Sequence, residues 1–164
     1  MHCTHCHHVM HKERLPAYAY DLSGLSNVVV HNVEQFQCPS CSGKAVTFHA
    51  IEALHHALAR ALITKETRLT AQEVRFLREH LEMTNQAFAR ALGVTEHQSS
   101  RWMSGAPMNS SAEHLLRLLV ASRVGLAMVK RAVAVVSQGI REGQSKLDAR
   151  RHGKEWMVQV SELG

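Results

Sequence analysis

The stretch that most restricts how this chain can fold is Leu69–Gly105, LTAQEVRFLREHLEMTNQAFARALGVTEHQSSRWMSG, where caps, apolar spacing and turn residues agree. Thr70 and Glu73 have capping-box spacing, in which the threonine oxygen accepts an amide of the first turn and the glutamate reaches back to the cap amide. A helix is therefore expected from Ala71, with Val74, Leu77 and Leu81 on one face and Arg75, Arg78 and Glu82 on the other. A second helix begins near Thr84 and offers Phe88, Ala89 and Leu92 to that face. Gly93 tolerates the left-handed backbone of a helix end, and Val94 can turn inward after it. Thr95–Gln98 repeats the capping-box spacing and opens a third helix, so the second and third cross at a tight corner. The start of the third helix presents Glu96, His97, Gln98, Ser100 and Arg101, side chains that can donate to or accept from base edges in a major groove.

The residues Met83-Thr84-Asn85-Gln86-Ala87-Phe88-Ala89-Arg90-Ala91-Leu92-Gly93-Val94-Thr95, followed by Ser100-Arg101-Trp102 and Gly105, resemble the Xre/Cro class of DNA-binding domains. The resemblance implies that Glu96, His97 and Arg101 meet bases, while Thr84, Asn85, Gln86 and Ser104 lie near phosphates. Ser99 departs from the class, which usually buries a branched aliphatic residue there.

The cysteines impose the second constraint. Cys3-Thr4-His5-Cys6 and Cys38-Pro39-Ser40-Cys41 are two C-x-x-C pairs that use every cysteine in the chain. Two residues between thiolates let a tight turn aim both sulfurs at one ion, and two such knuckles complete a tetrahedral site for which Zn2+ is the expected occupant. Four thiolates leave no open position, so the role is structural. His2, His5, His7, His8 and His11 are alternative ligands, and a redox dithiol is a rival without the thioredoxin-like pattern it needs. Between the pairs, Ala17–Tyr20 and Val28–Val33 flank a turn-prone Asp21–Asn27, which reads as two antiparallel strands. So small a module buries little apolar surface, and chelation is expected to unfold it.

Apolar residues make up 45% of the chain but aromatics only 5%, a Leu/Val/Ala core that suits helices. The expected fold is mainly α, with a small zinc-bound α+β N-terminal module and an Xre-type helix-turn-helix bundle in the C-terminal part. The expected boundaries are 1–48 for the zinc module, 49–68 for a linking helix and hinge, 69–124 for the helix-turn-helix domain, and 125–164 for a helical extension and tail. In the linking helix Ile51, Leu54, Leu58 and Leu62 form one stripe, and polar Thr64–Arg68 marks the hinge. Arg117 is expected in solvent, with a phosphate contact as the alternative. Met128–Ile140 reads as a dimer element, because a reader of two-fold sites needs two heads about 34 Å apart. The last stretch reads either as a short strand, from the alternation of Trp156, Val158 and Val160, or as a basic arm carrying Arg150, Arg151 and Lys154.

The charge is uneven: residues 1–59 hold 3 Lys/Arg against 4 Asp/Glu, and residues 60–164 hold 16 against 10. A basic C-terminal part that coincides with a helix-turn-helix suits a polyanionic partner. The N-terminus lacks the apolar run of an export signal, and no stretch suits a membrane span, so a bacterial cytoplasmic location is expected. No nucleophile, phosphate-loop or carboxylate-pair signature indicates an enzyme.

The order of parts, C-x-x-C pairs with a long spacer, a helical link and then a helix-turn-helix, resembles the MqsA/YgiT antitoxin family over roughly residues 1–125. The resemblance implies a zinc site on Cys3, Cys6, Cys38 and Cys41, a homodimer on palindromic double-stranded operator DNA that represses its own operon, and a toxin protein as partner. His7 and Ser42 depart from the family's usual glycine after each pair. The alternative reading is a protein-interaction module whose zinc domain captures a partner while the helix-turn-helix serves as scaffold.

Overall fold

The computed structural model describes residues 1–163. Three strands come first, β1 (His11–Ala19), β2 (Val28–Gln37) and β3 (Lys44–Thr47). Six helices follow: α1 (Ile51–Thr64), α2 (Ala71–His80), α3 (Asn85–Ala91), α4 (Glu96–Met103), α5 (Ser110–Val124) and α6 (Leu126–Gln138). The described chain closes with β4 (Gln144–His152) and β5 (Glu155–Leu163). None of the helices is long and apolar enough to cross a membrane.

The strands from both ends form one mixed sheet in the order β1-β2-β4-β5, with β3 also on β2. This overturns the expectation of a mainly α chain with an N-terminal α+β module: the fold is α+β, with strands at both ends and helices between. An antiparallel β1–β2 pair was expected, but its first strand runs over His11–Ala19 where the sequence suggests Ala17–Tyr20. The link to the other end was not legible, because β2 pairs in parallel with β4 through Val28↔Leu147, Val29↔Asp148 and Val30↔Ala149. In β4 only Ser145, Leu147 and Ala149 are buried, and charged residues fill the alternate positions. Its period of two is hidden beneath what looks like a basic tail. Between β4 and β5 the turn places Gly153 at φ 63°, the left-handed conformation that a two-residue hairpin needs. The segment expected as strand or basic arm is therefore a hairpin, with Arg150 and Arg151 exposed on its first strand.

Helix α1 is central to the core. Its stripe of Leu54, Leu58 and Leu62 is fully buried, while Ile51 at its start is 40% exposed. It contacts α2, α5 and α6 as well as β4 and β5, so one apolar cluster runs from Val28 and Val30 through α1 to Leu77, Phe88 and Leu116. Thr64–Arg68, where the sequence suggests a hinge, is held by buried charge. The Lys65 ammonium lies 2.7 Å from Glu73, and both side chains are essentially out of solvent. Arg117, expected in solvent, is also fully buried: it donates to the carbonyls of Lys65 (2.7 Å) and Thr67 (2.8 Å) and pairs with Glu113 at 2.9 Å. Burial pushes the pKa of both cations down, and Glu73 and Glu113 oppose that shift.

Candidate metal centre and nucleic-acid interface

The two C-x-x-C segments fold as matching knuckles. The amide of Cys3 donates to His8 O and that of His7 to Cys3 O; the amide of Cys38 donates to Gly43 O and that of Ser42 to Cys38 O. In both, the residue after the second cysteine is left-handed, His7 at φ 60° and Ser42 at φ 58°. The turn thus keeps the conformation that glycine would adopt freely, with side chains that disfavour it. Replacing Ser42 with glycine is expected to stabilise the metal-loaded protein by up to about 1 kcal/mol. A higher denaturant midpoint checks this, and an unchanged or lower one contradicts it.

The knuckles bring the Sγ atoms of Cys3, Cys6, Cys38 and Cys41 within 4.8 Å of one another. Cys3 and Cys41 are 3.4 Å apart, Cys6 and Cys38 3.4 Å, and Cys6 and Cys41 3.5 Å. Bonds of about 2.3 Å from a tetrahedral ion would set the sulfurs about 3.8 Å apart, so a small expansion admits the metal. Gly43 packs against the group, and a Cβ there would lie 3.4 Å from Cys41 Sγ and 3.5 Å from Cys3 Sγ. Backbone N–H groups of His5 and Cys6 pull the Cys3 thiol down to about 6. Cys41 accepts from the Gly43 amide, but the three neighbouring sulfurs push it up to about 12. Four thiolates this close cannot all ionise by themselves, and a cation at their centre removes the conflict. The donor set is that of a metal site, and among the described residues no histidine joins it.

Helices α2, α3 and α4 are built mostly as their caps imply. Thr70 and Glu73 make both halves of the capping box, at 3.3 and 2.8 Å. Thr84 and Thr95 each accept an amide three residues on, from Ala87 and Gln98, while no return bond from Gln98 completes the second box. Gly93 is left-handed at φ 68°, and the Val94 amide donates to Ala89 O at 2.9 Å, which closes the corner. Arg75 donates to Met103 O at 2.6 Å and so ties α2 to the end of α4.

Of the residues expected at DNA, Thr84, Gln86, Thr95, Glu96, His97, Gln98, Ser100, Arg101 and Ser104 are exposed. Asn85 is half-buried and has a second task. Its Oδ1 accepts from Ser99 Oγ at 2.5 Å, and its Nδ2 donates to Ser100 Oγ at 3.0 Å and Glu96 O at 3.3 Å. Ser99 is fully buried. A polar clamp therefore joins α3 to α4 at Ser99, with buried Trp102 completing the inner face. The sequence showed the odd serine but not its partner, because Asn85 reads as a surface residue until the corner is closed.

Helix α2 is also wired to the sheet. Glu73 Oε1 accepts from Asn27 at 3.2 Å, and the same Asn27 amide donates to Ser145 O at 2.8 Å, so one side-chain amide, just before β2, joins α2 to β4. No family model, curated protein or solved structure matches this chain, so the family resemblances rest on its own motifs.

Proposed function

We propose that this protein is a sequence-specific, DNA-binding transcriptional regulator that works as a homodimer, with a structural zinc ion on Cys3, Cys6, Cys38 and Cys41. The observation that carries the reading is the outer surface of α4: a run of exposed polar side chains from Thr95 to Arg101, on a helix whose inner side is fixed by Ser99 and Trp102. Rigid placement matters because hydrogen bonds to base edges discriminate only when their geometry is held. The net charge of +5, concentrated after residue 59, supplies affinity that does not depend on sequence. Four thiolates fill a tetrahedral sphere, so the ion holds the two knuckles together and no catalysis is assigned to it. The resemblance to MqsA/YgiT antitoxins supports self-repression on a palindrome, with a toxin as the further partner.

The test is selection of duplexes from a randomised pool by the zinc-loaded protein, with two half-sites about one helical turn apart as the expected product. Arg101→Ala should then lose about 1–3 kcal/mol of discrimination at one base pair in each half-site and leave the salt dependence nearly unchanged. Uniform weakening on every duplex would remove Arg101 from base recognition. Failure to enrich any sequence would overturn the regulator reading.

A further inference from the structure

Strand β2 is paired along one edge by β1, but its other edge is shared by two strands. β3 faces Glu34–Gln37, and β4 faces Val28–Val30. His31, Asn32 and Val33 pair with neither, and beyond Ala149 the β4 strand pairs with β5 alone. The sheet splits at this point, and a cleft of about 430 Å³ lies over the split, lined from β1, β2, the end of β3, and the end of β4, the start of β5 and the turn between them. That volume is within the range of small-molecule sites.

Three observations describe what the cleft would take. Asn32 is left-handed at φ 58°, the one such residue inside a described strand, and strained backbone of this kind persists where surrounding structure holds it and is common at ligand sites. The second is charge. Arg14 and Arg151 both line the cleft and have no ion-pair partner among the described residues. Their neighbours Lys12 and Lys146 are already paired, to Glu34 at 2.7 Å and to Asp148 at 3.1 Å. His31 is held in place by Asp148 Oδ1 at 2.7 Å and Pro16 O at 3.2 Å, on its two ring nitrogens. Glu34, the one acidic residue lining the cleft among the described residues, is thus partnered by Lys12 and His49, while the two guanidinium groups are free. The third is shape. Half-buried Phe48 and Trp156 supply flat apolar walls, and the indole is fixed by a 3.3 Å hydrogen bond to His49 O.

We propose that this cleft binds a small organic anion with a planar apolar ring, the acidic group held by Arg14 and Arg151 and the ring lying against Trp156 and Phe48. Guanidinium groups favour carboxylates and other oxyanions through paired N–H donors, and the aromatic walls favour a flat body over a bare ion. The site is independent of the DNA-binding reading and can be tested without DNA.

Sodium benzoate is the probe, titrated into the metal-loaded protein while the two tryptophan indole N–H signals are followed by NMR, with Trp156→Phe assigning them. The Trp156 signal should move saturably and that of Trp102, buried in the helical core, should stay in place. Arg14→Ala with Arg151→Ala should weaken benzoate by at least about tenfold while the Trp102 signal, unmoved, shows the fold intact. Lysine at both positions should restore part of the affinity by returning the charge. Benzyl alcohol, the same ring without charge, and inorganic phosphate, charge without a ring, should each bind more weakly than benzoate. A shift that does not saturate, equal movement of both indoles, affinity that survives loss of both arginines, or either control binding as well as benzoate would overturn the proposal.

Discussion

Replacing Arg117 with alanine is expected to destabilise the protein by about 3–5 kcal/mol, because it leaves charge and carbonyls buried without their partner. The guanidinium is fully buried and serves Glu113 and the carbonyls of Lys65 and Thr67 together. Its loss strands a carboxylate that is itself 1% exposed. Some compensation is built in, since Arg68 Nε lies 3.3 Å from the other oxygen of Glu113, while the Leu69 amide donates to the same oxygen as Arg117, at 3.0 Å. A paired change, Arg117→Met with Glu113→Gln, should therefore destabilise less than Arg117→Ala alone, because the desolvated charge goes with its partner. Denaturant unfolding of the three proteins checks this. A loss below about 1 kcal/mol for Arg117→Ala, the range of exposed ion pairs, would contradict the buried arrangement.

Stripping the metal is expected to have an effect that is large but bounded in space. Structural zinc on thiolates contributes on the order of 10 kcal/mol. The apolar shell around the cysteines is small: Met10 with Cys3 and Cys38, flanked by half-buried Cys6, Phe36 and Ala45. Val28, Val30 and Val33 belong instead to the main cluster with α1. With a chelator, both knuckles, β3 and the distal ends of β1 and β2 should lose amide-exchange protection. The helices and the β2–β4 contact should keep theirs. This narrows the sequence-based expectation that the whole N-terminal module unfolds. Mass-spectrometric hydrogen exchange with and without chelator distinguishes the cases, and loss of helical protection at the same chelator concentration would show that the metal holds the entire core.

What could be read in the sequence was what is decided within a few residues. The Thr70/Glu73 box, the Thr84 and Thr95 caps, the left-handed Gly93 and the C-x-x-C knuckles use partners no more than five positions away, and local spacing specifies them. The β1–β2 pair was legible only at its turn end, where Ala17–Ala19 face Val29–His31, because the charged residues earlier in β1 do not read as a strand. Features that depend on distant partners were hidden. Arg117 looks like a helix-surface residue until the chain from Leu62 to Thr67 wraps over it. The charged positions of β4 mask a buried alternation that matters only once β2 lies alongside. The cleft over Asn32 combines side chains from all five strands and leaves no mark in any one of them.

The parallel contact between β2 and β4 also bears on how the molecule is made. Asn27 and Ser145 are 118 positions apart in sequence, and the first strands cannot complete their sheet until the hairpin carrying Ser145 has been synthesised. Until then the Val28–Val30 part of that edge of β2 stays open, and an open strand edge is a template for pairing with the wrong chain. Closing so long a loop is also slow. Released chains that end before Gln144 should therefore be more prone to associate with one another than chains that include β4 and β5.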